Sequence, residues 1–208
     1  MLYRILSILI GYAFGCFLTA EIVARKYAGK PASELGETGN PGMANIMASL
    51  GFVPGILTLL GDLLKCFAAM LISWLLFREI DWIVTMYAGL GCTLGHDFPF
   101  WRKFRGGKGV ATSSAVIVFY DPLWGLLANI AGMLVTFATK YLCIAGPVIP
   151  LFFMLFMFLK NDTEAGILSI VLSALALFCH LPSVFGIFKG TTSQTDVLGA
   201  IMKKFGKK

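Results

Sequence analysis

The sequence predicts an all-α integral membrane protein, a bundle of about seven transmembrane helices with its N-terminus outside and its C-terminus in the cytoplasm. Three observations carry this expectation. Hydrophobic residues make up 58% of the 208-residue chain and charged residues 13%, with a mean hydropathy of +0.82, whereas soluble domains carry about 25% charged residues. The apolar residues fall in blocks, several of them long enough to cross a hydrocarbon layer of about 30 Å. The basic residues cluster beside alternate blocks, as the positive-inside rule asks of cytoplasmic loops.

Residues 2–24 form the first span. Arg4 is a thin basic leader, and Leu18-Thr19-Ala20 lacks the small residue three back that a signal-peptidase site requires. Gly15-Cys16, preceded by Ala13-Phe14, is likewise a poor lipobox, so the segment is expected to be retained. Residues 25–45 are polar and carry Arg25, Lys26 and Lys30. The second span, 52–77, contains Asp62 and Lys65 three apart on one helix face, a spacing that lets them pair and lowers the cost of burial. Residues 82–98 form the third span. Residues 110–120 are short for a crossing and are separated from 122–139 by Asp121-Pro122. These two segments read as two short spans, one bent helix or a re-entrant pair. Residues 142–159 and 165–188 complete the count.

Charge favours seven crossings. One side then receives Arg25, Lys26, Lys30, Arg102, Lys103, Arg105, Lys108, Lys140, Lys189, Lys203, Lys204, Lys207 and Lys208. The other receives Arg78 with Glu79 and Asp81, then Asp121, then Lys160 with Asp162 and Glu164, and only Arg4 resists the pattern. The excess of 17 Lys and Arg over 11 Asp and Glu is thereby a matter of topology, and no nucleic-acid partner is expected. The chain reads as a single domain over residues 1–208 without internal repeats. Cys16, Cys66, Cys92, Cys143 and Cys179 form no C-x-x-C pair and read as small buried apolar residues; no metal site or cofactor is expected.

Three features on the basic side carry chemistry. The stretch Gly36-Glu37-Thr38-Gly39-Asn40-Pro41-Gly42-Met43-Ala44-Asn45 is too rich in turn formers to span, and its successive amides suit an anion nest leading toward the positive end of the helix that starts at Phe52. In the second, Gly95-His96-Asp97-Phe98-Pro99 leads to Phe104-Arg105-Gly106-Gly107-Lys108-Gly109-Val110-Ala111-Thr112. There Arg105 and Lys108 bracket a glycine pair just before a helix, the loop-plus-helix-N-terminus arrangement that binds phosphate. It is not a Walker A loop. The third is His180, an ionisable residue inside the last span, followed by Leu181-Pro182-Ser183. Some chemistry is excluded. An H-x-x-x-x-D acyltransferase needs Asp at position 101 or 185, which are Trp101 and Phe185, and there is no G-x-S-x-G elbow.

The second motif closely resembles that of the bacterial membrane glycerol-3-phosphate acyltransferases that use acyl-phosphate donors. Thr38 to Asn45 looks like the family's first motif, a G-S-G-N-x-G-A-T-N loop, Gly61-Asp62-Leu63-Leu64-Lys65 resembles its D-x-x-K, and His180 falls where the third motif begins. The resemblance implies a seven-span fold in the bacterial cell membrane, a cytoplasmic active site and no cofactor. It implies transfer of a fatty acyl group from acyl phosphate to glycerol 3-phosphate or another phosphorylated acceptor, giving lysophosphatidate among membrane lipids. Thr38, Lys108 and His180 are the catalytic candidates it implies. The substrate-binding candidates are Gly39, Asn40, Gly42, Asn45, His96, Arg105, Gly106, Gly107, Gly109 and Ser183. Thr38 stands for a family serine, Ala44 for a threonine, Ala48 for an arginine, Cys143 for a serine, Ser183 for an asparagine and Thr192 for a glutamate. These departures are the basis of an alternative, a divergent paralogue with a different acceptor or a non-catalytic lipid-binding or regulatory membrane protein.

Overall fold

The computed structural model describes residues 1–36, 38–192 and 194. Regular structure among the described residues is helical: α1 Leu2–Gly15, α2 Thr19–Ala28, α3 Met43–Leu50, α4 Phe52–Phe77, α5 Val84–Asp97, α6 Val110–Tyr120, α7 Pro122–Thr139, α8 Leu142–Leu159 and α9 Thr163–Phe188. Among the described residues five helical stretches are long and apolar enough to cross a membrane: Leu2–Ala28, Phe52–Phe77, Pro122–Thr139, Leu142–Leu159 and Thr163–Phe188. The chain is a multi-pass helical membrane protein. Helices α5 and α6, at 14 and 11 residues, are shorter than the roughly 20 residues a full crossing takes.

The first span differs from its expected form. It runs on to Ala28 but is broken at residues 16–18 into α1 and α2. A break frees backbone carbonyls, which in hydrocarbon must find donors within the protein. Here Lys65 Nζ donates to Phe17 O at 3.0 Å and Gly15 O at 3.4 Å, and Trp101 Nε1 donates to Cys16 O at 2.8 Å. The helix expected to follow the first loop at Phe52 is preceded by another, α3, whose N-cap is Gly42. Residues 110–139 form two helices. Asp121 ends α6 and caps α7, accepting from Trp124 N at 3.2 Å with Pro122 in the first turn, where its missing N–H costs nothing.

The end of the bundle away from the glycine-rich loops is clasped by polar pairs. Arg4, the one basic residue against the charge pattern, meets Glu164 through two bonds of 2.6 and 2.7 Å, and Tyr87 donates to the same carboxylate at 2.7 Å. Lys160 pairs with Asp121, and Tyr120 donates to Asp162 at 2.6 Å. Lys203, Lys204, Lys207 and Lys208 lie outside the described residues. All five cysteines are free; Cys16, Cys66 and Cys92 are buried as expected, while Cys143 and Cys179 are only half-buried.

Helix α5 is placed by close backbone approach to α1. A Cβ at Gly11 would stand 1.9 Å from Ala88 O, and one at Gly91 would stand 2.1 Å from Ile8 O. Small residues at such a seam let two helices pack where lipid supplies no hydrophobic drive. The obstacle at Gly91 is main chain, which cannot swing aside. Gly91→Ala is therefore expected to destabilise the bundle by about 1–3 kcal/mol, despite alanine's better helix propensity, read as a lower thermal midpoint in detergent. An unchanged or higher midpoint would contradict this packing.

Candidate functional site

Helix α5 ends in His96-Asp97 and the chain reverses over that end. A short turn, Phe100–Arg102, leads into Lys103 and Phe104, both left-handed at φ 54° and 60°. The returning segment closes with Gly106 N donating to Asp97 O and Gly107 N to His96 O, each at 2.9 Å. The glycines are required by space. A Cβ at Gly106 would lie 2.0 Å from His96 O, and one at Gly107 would lie 2.0 Å from His96 Nε2. Gly109, at φ 70°, is the N-cap of α6. The first turn of α6 holds no acidic residue, but the buried Asp97 lies against its N-cap, its Oδ2 2.7 Å from where a Cβ of Gly109 would stand.

Lys108 extends from this turn to α9, its Nζ donating to Ser183 Oγ at 3.2 Å. His180 lies one helical turn before Ser183, so the two share a face of α9. It is buried against α8 and α6: a Cβ at Gly146 would stand 2.9 Å from its Cε1 and 3.3 Å from Val110 Cγ2. His180 Nδ1 stands 2.7 Å from Ala176 O. A carbonyl can only accept, so Nδ1 carries the hydrogen and Nε2 is left with a lone pair. The C-terminal end of α9 folds back, Thr192 Oγ1 donating to Ser183 O at 2.7 Å. Asp97 is buried beneath the turn, 3.5 Å from Cys179 Sγ through Oδ2.

A second polar group underlies the turn. Lys65 Nζ stands 2.8 Å from Asp62 Oδ1 and 2.8 Å from His96 Nδ1. The expected Asp62–Lys65 pair is present, and His96 joins it. Glu21 is the other tie: its carboxylate meets Arg102 at 2.8 Å and accepts from Ala32 N at 3.3 Å, linking the second loop to the segment that leads into the first. Arg105 is exposed, and among the described residues it is Arg102, not Arg105, whose side chain is held in an ion pair. Glu21→Ala leaves Arg102 without its anion and is expected to cost on the order of 3 kcal/mol. The exposed Arg25, 4.0 Å from the same carboxylate, should cost much less when replaced by alanine. Thermal midpoints of the two variants check this; equal effects would contradict it.

The first loop is knitted to itself. Thr38 Oγ1 donates to Asn45 Oδ1 at 3.2 Å and accepts from Asn40 N at 3.3 Å, and Asn45 Nδ2 donates to Leu35 O at 2.9 Å. Gly39 is left-handed, at φ 58°, and a Cβ there would stand 2.6 Å from Ser33 O. Thr38 and Asn45 thus serve the loop's own shape, while Gly42 opens α3. No hydrogen bond among the described residues joins this loop to Lys108, His180 or Ser183. The structure therefore gathers Lys108, His180 and Ser183 around the second loop, sets His96 under Gly107, and keeps Thr38 to Asn45 as a separate turn. The sequence did not announce the pairing of Arg102 with Glu21 or the His96 contact of Lys65. Glu21, acidic near the end of an apolar segment, was the one available signal.

A groove of about 580 Å³ opens between the first span and α4, lined by Ala13, Phe14, Phe17, Gly61, Leu64, Lys65 and Ala68. Its lining is apolar apart from Lys65, whose ammonium connects it to His96 and hence to the glycine turn.

Comparison with known proteins matches residues 5–190 to the family model for glycerol-3-phosphate acyltransferase. The chain is 42% identical to glycerol-3-phosphate acyltransferase 1 of Lactobacillus acidophilus, over 99% of this chain and 98% of that one. It is 35% identical to the glycerol-3-phosphate acyltransferase of Thermoanaerobacter pseudethanolicus, over 93% and 96% of the two chains. Among solved structures it is similar to the integral membrane glycerol 3-phosphate acyltransferase PlsY in its glycerol 3-phosphate form. The TM-score is 0.82 and the identity 27%, covering 95% of this chain and 98% of that one. The lysophosphatidic acid form of that enzyme matches with a TM-score of 0.80 at 26% identity, covering 94% of this chain and 96% of that one.

Proposed function

The chain belongs to the glycerol-3-phosphate acyltransferase family, and from that membership we propose that it acylates glycerol 3-phosphate from an acyl-phosphate donor, making lysophosphatidate for phospholipid synthesis. The observation that carries the donor assignment is the glycine turn itself: it leads straight into the N-terminal end of α6, and Lys108 projects from it.

In this reading the donor's phosphate sits on Gly106, Gly107, Lys108 and Gly109, with Arg105 drawing anions from solvent and His96 beneath. Its fatty chain lies in the apolar groove beside the first span. The acceptor's phosphate is assigned to the first loop, Thr38, Gly39, Asn40, Gly42 and Asn45, at the start of α3. His180 Nε2 accepts a hydrogen bond from the acceptor's hydroxyl, oriented by Ser183 one turn along. The hydroxyl oxygen attacks the acyl carbon, the bond from that carbon to the phosphate oxygen breaks, and the hydroxyl proton passes through His180 to the departing phosphate. An acyl phosphate is already activated, so proximity and charge stabilisation by Lys108 suffice.

The same reading makes residues 1–208 one domain of seven crossings in the bacterial plasma membrane, with α5 and α6 as short spans, the N-terminus outside and the loops facing the cytoplasm. Its support is the positive-inside pattern together with the Arg4–Glu164 pair, which accounts for the basic residue that resists it. The test is purified protein with palmitoyl phosphate and glycerol 3-phosphate, following phosphate release and lysophosphatidate together. Equal yields of both are expected. Lysophosphatidate formed from acyl-coenzyme A but not from acyl phosphate would reject the donor assignment.

A further inference from the structure

We propose that Lys65 is a positioning residue for acyl transfer: its buried ammonium holds His96 in the tautomer that keeps Nε2–H beneath the glycine turn, and it ties that turn to the break in the first span. The proposal rests on the reading of the turn as the donor-phosphate site.

Lys65 is 5% exposed, and its Nζ has four neighbours on three elements: Asp62 on its own helix, the carbonyls of Gly15 and Phe17 at the break, and His96 Nδ1 on α5. An ammonium has three donors and no acceptor. The 2.8 Å contact therefore requires Nδ1 to accept, which puts the ring hydrogen on Nε2. Asp62 Oδ1, at 3.7 Å from Nδ1, is beyond hydrogen-bond reach and does not compete for that atom. Nε2 lies 2.0 Å from where a Cβ of Gly107 would stand, and among the described residues it has no hydrogen-bond partner. A ring N–H with no protein partner, on a side chain otherwise enclosed, is free to donate to a ligand. An anion's oxygen seated on the turn is an acceptor of the missing kind.

This arrangement makes the role of Lys65 more than neutralising Asp62. It sets a tautomer on one side and a helix break on the other. The break lines the groove assigned to the acyl chain, since Phe17 and Lys65 both belong to that lining. Loss of the ammonium is thus expected to misplace donor chain and donor phosphate together.

The chain has two histidines, so ¹⁵N-histidine spectra of the protein in lipid nanodiscs resolve His96 once His180→Gln assigns the other. The expected wild-type signature is a single Nε2–H tautomer of His96 that shifts on adding a non-hydrolysable acyl phosphonate. In Lys65→Met the single tautomer should be lost, and kcat should fall by about tenfold to a hundredfold. His96→Gln, whose amide N–H can occupy the Nε2 position, should keep more activity than His96→Asn, which mimics Nδ1. A wild-type Nδ1–H tautomer, an unchanged tautomer and kcat in Lys65→Met, or His96→Asn outperforming His96→Gln would each overturn the proposal. If Lys65→Met does not fold, the wild-type tautomer and the two His96 variants still decide. If wild-type protein releases no phosphate from acyl phosphate, the donor reading fails instead, and the tautomer measurements alone decide the role of Lys65.

Discussion

Lys108→Met is expected to lower kcat for acyl transfer by about 10²–10³-fold, the loss typical of removing one donor that stabilises transition-state charge, while membrane insertion and thermal midpoint stay near wild type. Both halves follow from where the side chain sits. Its backbone belongs to the turn that closes on His96 and Asp97, but the residue is half-buried and among the described residues its ammonium bonds a neutral hydroxyl, Ser183 Oγ at 3.2 Å. Removing it breaks no ion pair among the described residues, so stability has little to lose. Lys108→Arg should rescue only partly, because a planar fork does not occupy the place of a compact point charge. Kinetics with palmitoyl phosphate beside a thermal melt check the prediction. A variant that loses stability in proportion to activity would show a structural lysine.

His180→Ala is expected to cost about 10²–10⁴-fold in kcat, the range for a group that takes a proton in the transition state. The reason is the tautomer fixed by Ala176 O at 2.7 Å, which leaves Nε2 as an acceptor. His180→Asn separates this role from packing. Its amide N–H can keep the bond to Ala176 O, yet nothing replaces Nε2. It should therefore be nearly as inactive as His180→Ala and more stable. Activity close to wild type in His180→Asn would contradict the role given to Nε2.

The two predictions rest on parts of the molecule that were visible in the sequence to different degrees. The apolar blocks at 52–77, 110–120, 122–139 and 142–159 fold with those bounds. Length and apolarity decide such elements locally, and Asp121-Pro122 is a helix stop and start in one dipeptide. The break at residues 16–18 was not visible. It depends on donors from Lys65 and Trp101, 48 and 85 residues along the chain from the carbonyls they satisfy. Helix α3 was hidden for the opposite reason, since it follows so closely on the turn formers of 36–42 that the eye extends the loop through it. At the site, the glycine spacing of 106–109 signalled an anion turn because only glycine tolerates such close approach. The pairing of Lys108 with Ser183, 75 residues apart, and of Glu21 with Arg102 is tertiary, and no local pattern announces it.

The three-dimensional arrangement also changes how the family departures weigh. Thr192 Oγ1 closes the end of α9 onto Ser183 O, and Ala48 is exposed on α3. Thr38 spends its hydroxyl on Asn45 and Asn40. Thr38 and Ala48 lie on the first loop and α3, away from the glycine turn, whereas Thr192 acts on Ser183, the partner of Lys108.

The central claim is that the glycine turn and Lys108 hold the donor's phosphate while His180 serves the acceptor. Binding of a non-hydrolysable acyl phosphonate to the purified protein, measured by calorimetry in the absence of acceptor, tests it most directly. Lys108→Met should weaken that binding by about tenfold or more, the value of a charge-assisted contact, and His180→Ala should leave it within about twofold. Undiminished binding to Lys108→Met, with binding lost in His180→Ala, would contradict the assignment.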